Sequence, residues 1–267
     1  MIPASFSVAQ KTRSWVDQIE MGLSETEALV LRTYNLADAD KIVVCLTRVN
    51  GLMRGVAKGS RRLKNRFGAA LEPFTLLQIS FYQKENQELV SLRNTEILKS
   101  HFNIFSKAET LAGLSYLAEL VIEFSPPYQP NDKLFRMVKA CLEAIADSPA
   151  DLQTILRYFE IWLLKLEGFL PDIKCCAECR HVFNESETTF IGSDFLLRCS
   201  SCSQGKGTTF SKRLHVQLRA TQRLGPSAFA EASRAVPAKV LGEMANLTHQ
   251  LIGRATERQL RVRSTFP

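Results

Sequence analysis

The feature that most constrains this chain is a change of hydrophobic period near residue 100. Up to Lys99 apolar and polar residues alternate, as in Leu77, Ile79 and Phe81 against Gln78, Ser80 and Tyr82. Period two marks strands with one buried face. Strands are expected at Ala28–Tyr34, Lys41–Val49, Leu52–Lys58, Leu71–Gln83 and Glu88–Lys99, with a two-residue type I′ hairpin at Asn50–Gly51 and a polar turn at Lys84–Gln87. Five strands with almost no helix between them have edges to hide, which a small closed or nearly closed barrel does.

Beyond that point the period is about 3.6. Ser106 and Glu109 form an S-x-x-E capping box before a helix that Pro126–Pro127 stops. A second helix runs from about Asp132 to Ala146. Ser148-Pro149-Ala150-Asp151 starts a third, and Gly168 suits the left-handed position after its end. Ser211–Leu224 and Pro237–Arg258 also read as helices. The chain is therefore α+β and multidomain: an extension at 1–21, a barrel at 22–103, and a helical domain at 104–173 and 207–267 around a module at 174–206. Its 267 residues suit two or three cores.

The module holds Cys176-Ala-Glu-Cys179 and Cys199-Ser-Ser-Cys202, two C-x2-C pairs separated by 19 residues. Two such knuckles supply the four thiolates of a tetrahedral structural zinc site with no open position for water. Cys175 can replace Cys176 through a C-x3-C spacing, and His181 is a neighbouring competitor. Cys45 and Cys141 sit in apolar patterns and read as inert core thiols.

Gly51–Phe74 contains Arg54, Lys58, Arg61, Arg62, Lys64 and Arg66, and no acid occurs between Asp40 and Glu72. Glycines at 51, 55, 59 and 68 forbid one long helix. Such a loop is poor core material but suits a polyanion, because each cation that meets a phosphate releases a condensed counterion. A solvated surface loop is the plainer reading. The net charge of +7 and pI near 9.1 favour an acidic partner such as nucleic acid. Tyr34, Phe67 and Tyr82 are candidate base-stacking platforms, while Phe74 and Phe81 read as core. A second acid-free stretch, Phe195–Ala230, carries Arg198, Lys206, Lys212, Arg213, Arg219 and Arg223. No apolar run is long enough for a membrane span, and no export signal is evident, so a cytoplasmic, nucleoid-associated protein is expected.

The order of barrel, helices, four-cysteine insert and helices resembles the RecO family of bacterial DNA repair proteins. The carrying segments are Glu27–Thr33 (EALVLRT), Asp40–Val43 (DKIV), Gly51–Arg62 (GLMRGVAKGSRR) and Leu71–Phe74 (LEPF). The extension before Met21 is unusual for that family. The resemblance implies an N-terminal OB-fold and a helical domain carrying the zinc module. It also implies binding of single- and double-stranded DNA, annealing of complementary strands, and contacts with RecR and the tail of single-strand-binding protein. Loading of RecA would follow indirectly, and Arg54–Arg66 would face DNA.

No catalytic residue is expected: the chain lacks a P-loop, and its four histidines have no nucleophile partner. The alternatives are a zinc-module protein that stimulates nucleotide hydrolysis, with Arg180 or Arg198 as an arginine finger, and a non-catalytic zinc adaptor.

Overall fold

The computed structural model describes residues 22–83, 88–101, 104, 107–184 and 187–256. The expected extension, the Lys84–Gln87 turn, Ser106 of the capping box and the end of the last helix lie outside the described residues.

Five strands close a barrel: β1 (Gly22–Leu36), β2 (Asp40–Thr47), β3 (Gly51–Ala57), β4 (Leu76–Gln83) and β5 (Leu89–Lys99). The order is β1-β2-β3-β5-β4, with β4 returning to β1. Every pair is antiparallel except β3 with β5. This is the OB-fold arrangement. Closure depends on the length of β1. Its first half pairs with β4, its second with β2, and an irregularity at Leu31 lets it turn between them.

Two cores result. Val30, Val43, Cys45, Met53, Leu77, Ile79 and Phe81 fill the barrel. Leu29, Leu31, Val44, Leu46 and Leu52, pointing the other way, join the core of the helical domain. The outer wall of the barrel and the helices therefore share one core, separate from the barrel interior, which explains why β1 and β2 read as nearly continuous apolar runs.

The β2–β3 hairpin differs in detail from expectation. Three residues, Arg48–Asn50, separate the paired Thr47 and Gly51, so this is not a two-residue type I′ turn. Gly51 alone takes the left-handed conformation, φ +67°. The hairpin docks on the helical domain. The Tyr128 N–H donates to Leu52 O at 3.0 Å, and Arg48 pairs with Glu27 and Asp132. A Cβ on Gly51 would stand 2.0 Å from Gln129 O. Gly51→Ala should therefore destabilise by at least about 2 kcal/mol, through φ strain and backbone displacement. Gly68→Ala carries the strain without the clash, since nothing lies within 4 Å there. Equal urea midpoints for the two variants would contradict this docking.

The helices are α1 (Ala108–Phe124), α2 (Asp132–Asp147), α3 (Leu152–Leu166), α4 (Ser200–Ser203), α5 (Lys212–Arg223), α6 (Pro226–Ser233) and α7 (Ala238–Thr256). A 3-10 turn, Pro149–Asp151, leads into α3. α3 is central and packs on α1, α2, α5, α6 and α7. Asn131 caps α2 and Ser211 caps α5. α6 was not expected, although Gly225-Pro226 is a start signal with proline at the first helical position. The four-cysteine module adds a small sheet of β6 (Thr189–Ile191), β7 (Leu197–Cys199) and β8 (Thr208–Phe210) in the order β7-β6-β8. No helix among the described residues is long and apolar enough to cross a membrane.

Candidate nucleic-acid interface and metal centre

The basic stretch runs from outward-facing Arg54 on β3 into the connection between β3 and β4. Local bonds fold that connection. The Gly59 N–H donates to Asp40 Oδ1 at 2.8 Å, and the Arg61 N–H to Ala39 O at 2.9 Å. Asn65 Oδ1 accepts from the N–H groups of Phe67 and Gly68. Phe67, Ala70 and Leu71 then turn into the barrel interior. Two expectations are corrected here. The loop does contribute to a core, because Phe67, Ala70 and Leu71 join the barrel interior. Phe67, at 3% exposure, is not a stacking platform.

With the apolar residues turned inward, the cations are left outside. Arg54, Lys58, Arg61, Arg62, Lys64 and Arg66 are all exposed, and none pairs with a carboxylate among the described residues. Arg61 donates to Ala37 O and Arg66 to Leu92 O, while the Arg66 guanidinium lies 4.8 Å from the Phe67 ring centre. A carbonyl orients a guanidinium without cancelling its charge.

Strand register places the other two aromatics on one outward row. Tyr34 pairs with Ile42, Ile42 with Val56, Val56 with Ser91, and Ser91 with Tyr82. Four inter-strand steps of about 4.8 Å separate the rings by about 19 Å along the sheet. Tyr34 is 48% and Tyr82 37% exposed. Arg32 and Arg54 lie one row towards the helices, on either side of Val44. Lys58 follows on the other side, and the Arg93 guanidinium stands 5.9 Å from the Tyr82 ring centre. Arg32 and Arg93 were missed from sequence because each sits singly in a strand pattern, and only register brings them to this belt.

The candidate metal centre is built by β7, α4 and the turn after Cys176. The Sγ atoms of Cys176, Cys179, Cys199 and Cys202 all lie within 4.8 Å of one another, with Cys179 and Cys199 at 3.8 Å. Four thiolates about 2.3 Å from a central ion stand about 3.8 Å apart, so the donor set fits a tetrahedral metal. Burial pushes the Cys176 thiol up. The N–H groups of Cys179, Cys199 and Glu178 outweigh it and bring the thiol down to about 6. Cys175 turns away and donates to Asp172 Oδ2 at 3.1 Å, which leaves Cys176 as the cluster member. His181 is engaged by Glu187 at 2.9 Å and stands outside the cluster. Cys45 and Cys141 are buried, and burial raises both thiols, to about 12 for Cys45.

Two family models match this chain, Recombination protein O N terminal over residues 21–101 and Recombination protein O C terminal over residues 106–264. The chain belongs to the RecO family. Similar proteins named DNA repair protein RecO include one from Koribacter versatilis, 36% identical over 157 residues, 59% of this chain and 64% of that protein. Another, from Anaeromyxobacter dehalogenans, is 29% identical over 82% of this chain and 90% of its own length. A third, from Geobacter metallireducens, is 31% identical over 69% of this chain and 74% of that protein.

In this RecO-family chain the second acid-free stretch does not act as one track. Arg198 is held by Glu178 at 2.6 Å and Asp194 at 2.5 Å, which ties the module together and removes it as an arginine finger. Arg219 is half-buried and donates to Phe183 O at 2.9 Å. Lys206, Lys212, Arg213 and Arg223 remain exposed.

Proposed function

We propose that this RecO-family protein is a DNA repair and homologous recombination mediator. In this reading it binds single- and double-stranded DNA, anneals complementary strands and helps load a recombinase onto strands coated with single-strand-binding protein. The supporting observation is the outward row from Tyr34 to Tyr82, edged by Arg32, Arg54, Lys58 and Arg93 and continued by the loop cations. Aromatic faces accept any base, and flanking cations follow the phosphates, so binding needs no sequence readout. No catalytic residue is assigned, because lowering the repulsion between two polyanions requires no chemistry. RecR and the tail of single-strand-binding protein are the partners the family implies, with RecA engaged indirectly, in the cytoplasm at the nucleoid. The four thiolates would hold a structural zinc ion, whose contribution is to fix the module's fold.

With about six phosphates contacted, single-strand affinity should fall by about two to three decades between 50 and 200 mM salt. Neutralising four of the contacts, with Arg61→Gln, Arg62→Gln, Lys64→Gln and Arg66→Gln together, should flatten the log–log salt slope by about 2.8. Fluorescence anisotropy with a labelled oligonucleotide measures both. An unchanged slope would remove the loop from the interface.

A further inference from the structure

We infer that the outward face of α5 is a second, separate binding surface for a nucleic-acid strand, so that the molecule holds two strands at once. This rests on the nucleic-acid reading above and assigns the second strand its place. α5 buries Leu214, His215, Leu218 and Thr221. At about 100° per residue, Lys212, Val216 and Arg223 fall on one exposed stripe on the opposite face, while Arg219 at its edge is half-buried on Phe183 O. Two of these three are cationic, exposed Arg213 stands beside them, and no acid occurs from Phe195 to Ala230.

A helix face that serves only for solvation usually interleaves both signs, because like charges three or four residues apart repel. Three arginines elsewhere in the helical domain find carboxylates, Arg136 with Asp132, Arg157 with Glu160 and Arg234 with Asp151, although Arg254 instead donates to Asp194 O. Lys212, Arg213 and Arg223 have no carboxylate partner among the described residues. Their uncompensated charge fits a counter-charge supplied from outside. From Lys212 to Arg223 the stripe is about 17 Å long, enough for several phosphates.

The stripe also lies on a different part of the fold from the aromatic belt. The packing partners of α5 are α3, α6 and α7, whereas the belt runs around the barrel. The two surfaces belong to parts of the fold joined by the core between the barrel wall and the helices. Meeting of the two strands then becomes a local event at high effective concentration.

The test compares two variants of the full chain using labelled oligonucleotides. Lys212→Gln, Arg213→Gln and Arg223→Gln together should leave affinity for a single strand within about two-fold. They should lower the annealing rate at least about ten-fold, and abolish the complex that carries two non-complementary strands with different dyes. Unchanged annealing would overturn the inference. So would a single-strand affinity that falls by the same factor as annealing, because the two surfaces would then be one track. If the barrel-loop variant keeps full single-strand affinity, the nucleic-acid reading itself fails, whatever α5 does. Lys212→Glu alone, at an exposed position, repeats the test should the triple variant be poorly folded.

Discussion

Glu160→Ala is expected to cost about 3–5 kcal/mol of folding stability, a large share of what a domain has to lose. Glu160 is completely buried on α3. Its Oε1 accepts from the Tyr116 hydroxyl on α1 at 2.8 Å and faces Arg157 Nη2, also at 2.8 Å. Its Oε2 accepts from the Thr248 hydroxyl on α7. The alanine variant would leave the Arg157 guanidinium, itself 4% exposed, without a counter-charge where three helices meet. Arginine can only donate, so His249 Nε2, 3.1 Å from Arg157 Nη1, must accept and the ring must be neutral. Burial, aided by Arg157, holds the His249 pKa below its ordinary value.

A histidine whose folded pKa is lowered contributes stability that is complete above about pH 6.5 and lost as pH falls from there towards the folded value. Urea unfolding should therefore show wild-type stability declining below about pH 6.5. The pair Arg157→Met and Glu160→Leu should recover most of the loss, because it removes both buried charges. Glu143→Ala, which breaks the exposed pair with Lys99, should cost at most about 1 kcal/mol. If Glu160→Ala were no worse than Glu143→Ala, the buried pair would not be the hub of the domain.

Nothing in the sequence marked that hub. Arg157 and Glu160 fall between the apolar positions of α3, yet its middle, from Ile155 to Ile161, is buried all round. Periodicity reports one buried stripe well and a fully surrounded helix badly. The strands were legible for the converse reason, since period two survives wherever one face is wet. Where the chain turns, local propensity gave the place but not the form. β4 begins at Leu76 rather than Leu71, because Phe74 adopts a left-handed φ of +61° and its N–H reaches back to Val30 O at 2.7 Å. The four-cysteine cluster was legible because its chemistry is written in spacing alone. The belt was not, because it exists only through the register of five strands.

Cys176→Ser should abolish metal binding by the module and unfold it, and this is the other large effect. In zinc peptides the apparent binding energy is about 10–16 kcal/mol, more than so short a sheet can supply by burial. Cys175→Ser should keep the full metal content, because that thiol faces Asp172. Metal content measured on both variants separates them, and retention of one ion per chain by Cys176→Ser would contradict the ligand set. The damage should spread along a defined route. Phe183 and Phe210 pack edge-on against His215 of α5, at 5.8 and 6.0 Å between ring centres, and Arg219 is anchored on Phe183 O. Losing the module thus loosens α5 while leaving the barrel interior, which contains none of these residues, intact. Limited proteolysis should cut first between Lys174 and Phe210. If the barrel carries single-strand affinity, as proposed, that affinity should then survive metal removal while annealing declines with α5. Loss of both together would mean that the module props up the barrel, a role its contacts do not suggest.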